Sequence, residues 1–157
     1  MKFKSNSPHE TQIFGSKMGA LAQNGELFLL NGQLGSGKTT LVQGFAWGAG
    51  VEGYAHSPTF ILVNQYWGDV KINHVDLYRI ENNNLEAHDL GFEEMLEDSV
   101  VLVEWYENAK SIFSDEHIRI EFKQGANGPD SRVIELEAVG KYYENWINKL
   151  VTEVANG

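Results

Sequence analysis

The nine residues from Gly32 to Thr40, GQLGSGKTT, decide the fold of this chain. They match the pattern G-x-x-x-x-G-K-[ST] without a mismatch, between an apolar segment, ELFLLN, and a helix-like segment, LVQGFAWGAG. Glycines let a backbone wrap a phosphate with its N–H groups, and the N-terminus of the following helix adds partial positive charge. The stretch predicts a phosphate-binding loop between a buried strand and a helix, rather than a glycine-rich turn with an incidental lysine.

Lys38 and Thr39 are the residues of this loop whose side chains have defined roles in the pattern. In such loops the lysine reaches the β- and γ-phosphates, and the hydroxyl after it ligates Mg²⁺. Lys38 is therefore a candidate catalytic and phosphate-binding residue, and Thr39 a candidate metal ligand. The predicted phosphate-binding set is Gly32, Leu34, Gly35, Ser36, Gly37, Lys38, Thr39 and Thr40.

Two acidic residues end strand-like segments further along the chain. Asp76 ends the strand-like segment INHVD, and Glu104 follows the apolar run in VVLVE. Carboxylates at the C-terminal ends of strands face the crevice in which α/β sheets bind ligands. They are the expected acidic groups of a phosphate-transfer site, where one must hold the metal or activate water. A solvated acid at a strand end is the alternative for each.

Three further residues have both a functional and a structural interpretation. Thr59, in HSPTF, lies on a segment that could meet the γ-phosphate or its magnesium, as switch loops do; a Ser-Pro turn entering a strand is the alternative. His74 lies inside the strand-like segment INHVD, which favours a satisfied core histidine over a base. Trp105 adjoins Glu104 and is either core filler or a neighbour of the site.

The remaining segments alternate between strand-like and helix-like patterns. SPHE, from Ser7, is a capping box that begins a helix, and HIRIEFKQ and SRVIELEAV alternate strictly around GANGPD, which predicts a hairpin. We also expect an edge strand at MKFKS, strands in TFILVNQYW and VKINHVDLYRI, short helices in NNNLEAHDLGFEEMLED and ENAKSIF, and an amphipathic C-terminal helix in KYYENWINKLVTEVA. The pattern predicts a three-layer α/β fold with a mixed β-sheet, as one domain over residues 1–157.

Composition narrows the function classes. The net charge is −10, from 12 basic and 22 acidic residues, so stand-alone binding to DNA or RNA by charge neutralisation is not expected. The absence of cysteine excludes disulfides and thiolate metal sites. The N-terminal segment lacks the apolar region of a signal peptide, and no apolar run is long enough to span a membrane. We therefore expect a cytoplasmic protein.

Five motifs together resemble one family. GQLGSGKTT, SPTF, HVDLYRI, DLGFEEML and VLVEWYEN occur in the order and spacing of the TsaE (YjeE-like) proteins. The first motif is generic, whereas SPTF, DLYR and VEW in combination are specific. The resemblance extends from ETQ near the start to SRVIELEAVG near the end. Two positions depart from it: Ser36 stands where the family usually has Ala, and Tyr106 where it often has Pro.

The resemblance implies a function and a set of roles. TsaE proteins are small bacterial ATPases required for threonylcarbamoyl modification of the tRNA adenosine beside the anticodon, and their partners are the TsaB–TsaD pair. By resemblance, ATP and Mg²⁺ are the cofactors, Thr39 and Glu104 ligate the metal, and Asp76 supports hydrolysis. The resemblance also implies that Thr11, Thr59 and Arg132 contact or approach the nucleotide. Contact with tRNA is expected only through the partners.

Three other functions remain compatible with a phosphate-binding loop. A small-molecule kinase usually needs a lid with several arginines, and this chain has only Arg79, Arg119 and Arg132. A GTPase switch lacks support because no Asn-Lys-x-Asp motif is present. An assembly factor that binds nucleotide without turnover is the third.

Overall fold

The computed structural model describes residues 1–54, 63–77, 91–105 and 116–157. Its strands are β1 (Lys2–Ser5), β2 (Leu27–Asn31), β3 (Val63–Trp67), β4 (Lys71–Asp76), β5 (Val100–Glu104), β6 (His117–Gln124) and β7 (Arg132–Val139). Its helices are α1 (Pro8–Leu21), α2 (Lys38–Gly48), α3 (Phe92–Asp98) and α4 (Lys141–Asn156). Within these ranges no helix is long and apolar enough to cross a membrane.

The seven strands form one mixed sheet in the order β1-β7-β6-β2-β5-β4-β3. The four central strands β6, β2, β5 and β4 are parallel to one another, whereas the outer pairs β1–β7, β6–β7 and β3–β4 are antiparallel. The predicted mixed sheet is therefore confirmed. Because the parallel strands end at the same edge, the residues after β2, β4 and β5 meet there.

Helices cover both faces of the sheet, which confirms the three-layer prediction. On one face, the alternate residues Phe28 and Leu30 of β2 pack with the core sides of α1, α2 and α4. On the other face, Leu27 and Leu29 pack in a separate cluster with Phe92 of α3. Both faces of β2 are buried, which explains why its sequence is an uninterrupted apolar run.

Glycines bring α1 and α2 into very close contact. A Cβ atom at Gly19 would lie 1.9 Å from the carbonyl oxygen of Phe45, and one at Gly48 would lie 1.9 Å from that of Ser16. Any larger side chain would force the backbones apart, because real Cβ atoms do not approach so closely. Helix α1 is thus fixed against the helix that follows the phosphate-binding loop.

The predicted ends of the first helix are close to those observed. Ser7 is the N-cap of α1 and accepts a hydrogen bond from the Glu10 backbone N–H at 3.1 Å, as the capping box predicts. Pro8 occupies the first helical position. The edge strand, the β6–β7 hairpin and the C-terminal helix are also confirmed. The short helix predicted at 107–113 lies outside the described residues.

Candidate functional site

In the loop from Gly32 to Gly37, the first and last glycines stand where a side chain would not be accommodated. Gly37 has a φ of 105°, a conformation that side-chain-bearing residues rarely adopt. At Gly32 a Cβ atom would lie 2.6 Å from Ser36 Oγ and 2.9 Å from Phe122 Cβ. The first requirement is conformational and the second is spatial, so the two glycines are needed for different reasons.

Unused hydrogen-bonding groups face this loop. Helix α2 begins at Lys38, and within the described residues no side chain caps its N-terminal N–H groups. Ser36 Oγ is buried and has no hydrogen-bond partner in the described part of the chain. An anion is the natural partner for such donors at a helix N-terminus. The loop therefore fits the phosphates of a nucleotide.

The Lys38 side chain folds over its own loop. Its Nζ donates hydrogen bonds to the carbonyl oxygens of Gly32, at 2.6 Å, and Gln33, at 3.1 Å. The same nitrogen lies 4.1 Å from the centre of the Trp105 ring, a cation–π distance. Burial lowers the pKa of Lys38, and the nearby charges of Glu104 and then Asp76 oppose that shift.

Asp76 and Glu104 lie side by side at the ends of two parallel strands. They are register partners between β4 and β5, and Glu104 is also opposite Leu30 of β2, just before the loop. Asp76 is only 8% exposed and Glu104 only 3%. The interpretation of either residue as a solvated acid is therefore wrong. The sheet places both carboxylates near Lys38, and their negative charges act to raise the pKa of this lysine.

His74 is buried, as predicted, but its hydrogen bonding differs from that of a satisfied core histidine. Its Nε2 is hydrogen-bonded to Glu104 Oε2, whereas its Nδ1 is buried and without a partner among the described residues. The side chains of His74 and Glu104 lie on the sheet face that packs against α2. His74 is two residues after Ile72 on β4 and therefore shares a face with it, and Ile72 belongs to the apolar core between the sheet and α2. His74 therefore contacts the candidate site.

Trp105 has an unusual backbone conformation directly after Glu104. Its φ is 60°, which for a bulky residue is an outlier that costs roughly 1–3 kcal/mol. Its backbone N–H still donates to Leu30 O at 3.1 Å, so the chain turns immediately after leaving β5. This turn puts the indole ring against Lys38. Trp105 is a neighbour of the site rather than only core filler.

Arg132, at the start of β7, contacts the backbone of the loop. Its Nε donates to Ser36 O at 2.8 Å and one terminal nitrogen donates to Gly35 O at 3.1 Å. The other terminal nitrogen donates to the carbonyls of Pro129, at 2.5 Å, and Ser131, at 2.8 Å. The guanidinium thus connects the phosphate-binding loop to the β6–β7 turn.

The other predicted residues have different positions. Thr39 and Thr40 are half-buried in the first turn of α2, next to the N–H groups of the loop, and Leu34 is 82% exposed at the loop tip. The Thr11 hydroxyl is buried and hydrogen-bonded to Ser5 Oγ at 2.7 Å, on the first turn of α1. Thr59, Arg79 and Tyr106 lie outside the described residues.

The protein groups available to a metal are few. Within residues 1–54, 63–77, 91–105 and 116–157, no cluster of three or more His, Asp or Glu side chains could hold a metal ion. Mg²⁺ is commonly held by one or two protein oxygens together with substrate phosphates and water. A hydroxyl at Thr39 and a carboxylate at Glu104, beside a phosphate loop, fit that kind of site.

Comparison with known proteins agrees with this geometry. The family model described as "Threonylcarbamoyl adenosine biosynthesis protein TsaE" matches residues 5–134. The chain belongs to the TsaE family. The matched range includes the loop, both carboxylates and Arg132, so the family assignment and the candidate site rest on the same residues.

Individual relatives extend over most of the chain. The TsaE protein of Bacillus subtilis is 36% identical over 92% of this chain and 89% of its own length. That of Streptomyces coelicolor is 34% identical over 90% of this chain and 97% of its own. The crystal structure of Bacillus subtilis YdiB matches with a TM-score of 0.81 and 31% identity, covering 98% of this chain and 95% of that one.

Two contacts were missed by sequence reasoning. The His74–Glu104 contact had a signal in the sequence. His74 is two residues before Asp76 on a strand, so its side chain lies on the same face of the sheet as a candidate carboxylate. The resemblance implies that Arg132 approaches the nucleotide, but no local pattern indicated its contact with the loop backbone, because that contact depends on β7 returning to the loop through β6. It joins residues 96 positions apart, which local pattern cannot indicate.

Proposed function

We propose that this chain is a Mg²⁺-dependent ATPase that supports threonylcarbamoyl modification of the tRNA adenosine beside the anticodon. The observation that carries the proposal is the arrangement around Lys38, which lies between the loop carbonyls, the Trp105 ring and two buried carboxylates. Family membership supplies the pathway, and the charge arrangement supports the chemistry.

The protein groups have separable tasks in this proposal. Lys38 exchanges its bonds to Gly32 and Gln33 for the β- and γ-phosphates, while the N–H groups at the start of α2 bind the same phosphates. Thr39 and Glu104 hold the metal, and Asp76 supports the attacking water through its carboxylate. Bound Mg²⁺ supplies charge neutralisation on the phosphates.

The isolated chain is expected to turn ATP over slowly. Transition-state charge on a transferred phosphoryl group is commonly neutralised by an arginine, in cis or from a partner. Among the described residues, Arg119 forms an ion pair with Glu137 and Arg132 bonds the loop carbonyls. Neither of these two arginines is placed as a cis finger, and in this proposal a partner completes the site.

On the basis of family membership, the proposed partner is a TsaB–TsaD-type complex. The net charge of −10 is unsuited to direct tRNA binding, because affinity for nucleic acid depends on neutralising phosphates with clustered Lys and Arg. We therefore assign tRNA contact to the partners and ATP hydrolysis to this chain.

A turnover assay in three mixtures tests the proposal. ATP hydrolysis is measured for this chain alone, with a TsaB–TsaD pair, and with the pair plus tRNA, each with Lys38→Ala as the inactive control. We expect slow turnover alone and a marked increase with the pair. Fast turnover that is indifferent to the pair would contradict the partner role and favour a small-molecule kinase, which phosphate transfer to an added acceptor would reveal.

Nucleoside analysis of tRNA tests the pathway separately. Cells depleted of this chain should lose threonylcarbamoyladenosine and regain it on expression of the wild type but not of Lys38→Ala. Unchanged modification on depletion would exclude the pathway even if the ATPase activity is present.

A further inference from the structure

His74 occupies a position that links two strands of the candidate site. It is fully buried on β4, two residues before Asp76, and β4 is parallel to β5 with His74 opposite Leu102. Its ring reaches diagonally to Glu104, two residues further along β5. On this face Ile72 on β4 and Leu102 on β5 belong to the apolar core, whereas the next positions along the two strands are the acidic Asp76 and Glu104. The ring of His74 therefore lies where the apolar core meets the candidate site.

The hydrogen bond defines which atoms of each side chain are used. A carboxylate that ligates a metal can only accept a hydrogen bond, so in the proposed site His74 Nε2–H is the donor to Glu104 Oε2. The Nδ1 atom then holds a lone pair, and it has no partner in the part of the chain that is described. The bond involves one carboxylate oxygen, Oε2, and so fixes the rotation of the Glu104 carboxylate without using both of its oxygens.

We propose that His74 is a positioning residue that fixes the Glu104 carboxylate for the magnesium ion of a bound nucleotide. This inference rests on the proposed function, in which Glu104 ligates that metal. Ligating carboxylates are themselves held by hydrogen bonds, and losing such an outer partner typically costs about 10- to 100-fold in metal affinity or activity. His74 orients the ligand, whereas Lys38 and Thr39 contact nucleotide and metal.

The test compares substitutions that keep or remove the donor. His74→Leu removes the N–H donor while retaining apolar volume, and His74→Gln keeps an N–H group at comparable reach. His74→Asn keeps an amide that is too short to reach Glu104, and it serves if the leucine variant does not fold. Asn73→Leu is the matched control, because Asn73 is a buried neighbour on β4 whose side chain bonds Ser99 Oγ at 2.7 Å instead.

The readout is the gain in affinity that Mg²⁺ confers on nucleotide binding. The affinity for a fluorescent ATP analogue is measured with MgCl₂ and with EDTA, together with the Mg²⁺ concentration that half-saturates hydrolysis. We expect His74→Leu and His74→Asn to bind the analogue normally in EDTA and to lose about tenfold or more of the Mg²⁺ gain. His74→Gln should recover most of it, and Asn73→Leu should keep it.

The outcomes separate the inference from the function on which it rests. If the wild type shows no Mg²⁺ gain, the proposed metal site is wrong, and the role of His74 with it. If the wild type shows the gain and His74→Leu or His74→Asn retains it, the metal site stands and the positioning role is wrong. Equal losses in His74→Gln, His74→Leu and Asn73→Leu would show a general structural effect and also overturn the positioning role.

Discussion

Two buried glutamates at opposite ends of β2 have very different surroundings. Glu26, which precedes the strand, is 2% exposed, and it accepts hydrogen bonds from the Gln23 N–H at 2.7 Å and the Tyr142 hydroxyl at 2.6 Å. Glu104, opposite the end of the strand, is equally buried but lies near the charged Lys38 and bonds His74. Burial alone therefore does not identify a functional carboxylate.

The difference lies in what the partners can do. The partners of Glu26 are uncharged groups of the fold, one of them on α4, and burial raises its pKa. The Lys38 ammonium group near Glu104 donates hydrogen bonds to backbone carbonyls, and a phosphate can replace these carbonyls as its partner. The end of β2 near Glu26 serves the fold, whereas the proposed ligand site lies at the end near Glu104.

Removing Lys38 should have the largest effect on the functional end. In Lys38→Ala the phosphates lose their buried cation, and we expect ATP turnover to fall by about 100-fold or more. Steady-state phosphate release measures it. Lys141→Ala is the control, because Lys141 is exposed on α4 and pairs only loosely with Glu144, at 3.9 Å. Comparable turnover in the two variants would contradict the assignment of the loop.

Thr39→Ala should impair hydrolysis more than nucleotide binding. The hydroxyl is a proposed metal ligand, so we expect at least about a tenfold loss of Mg²⁺-dependent turnover and little change in ADP affinity in EDTA. Thr39→Ser restores a hydroxyl and should restore activity. Isothermal titration with and without Mg²⁺ distinguishes the effects, and equal losses in both conditions would assign Thr39 to phosphate binding instead.

Arg132→Ala should weaken nucleotide binding to a smaller extent, with and without Mg²⁺. The variant loses two charged hydrogen bonds to the loop backbone, and we expect an affinity about tenfold lower. Lysine should rescue it poorly, because an ammonium cannot reproduce the forked geometry. Arg119→Ala is the matched control, since this half-buried arginine on β6 pairs with Glu137 instead. A normal affinity for Arg132→Ala would show that the loop does not depend on this contact.

Glu26→Gln should have the smallest effect, on stability alone. Because burial raises the folded-state pKa of Glu26 above 4.5, its contribution to stability is most favourable below pH 4.5 and is lost as the pH rises through the folded-state pKa. Glutamine removes this penalty, so the variant should melt higher at pH 7.5, by at most about 4 °C. The difference should shrink towards pH 4. A pH-independent difference in Tm would show that the carboxylate charge is not its cause.

The sequence predicted most of the fold because its signals are local. The capping box at Ser7 fixed the start of α1, and strict alternation on both sides of GANGPD defined β6 and β7. The loop and the two strand-end carboxylates were predicted for the same reason, since a short strand-like run that ends in an acid indicates a strand end.

Other features of the site depend on tertiary structure. The order in which β6 lies between β2 and β7 is not encoded in any one segment, and it is this order that brings Arg132 to Ser36. The close approach of Gly19 to Phe45 likewise appears only when α1 and α2 are packed. The positive φ of Trp105 has no sequence signal, because residues of that type rarely adopt it.

The most direct test of the account makes one substitution at both ends of β2. Glu104→Gln and Glu26→Gln each remove a buried carboxylate charge while retaining size, and Mg²⁺-dependent ATP turnover is compared at equal folded fraction, verified by circular dichroism. We expect Glu104→Gln to lose about tenfold or more of the turnover and Glu26→Gln to retain wild-type turnover. Equal turnover in the two variants would contradict the claim that the chemistry resides at the Glu104 end of the sheet.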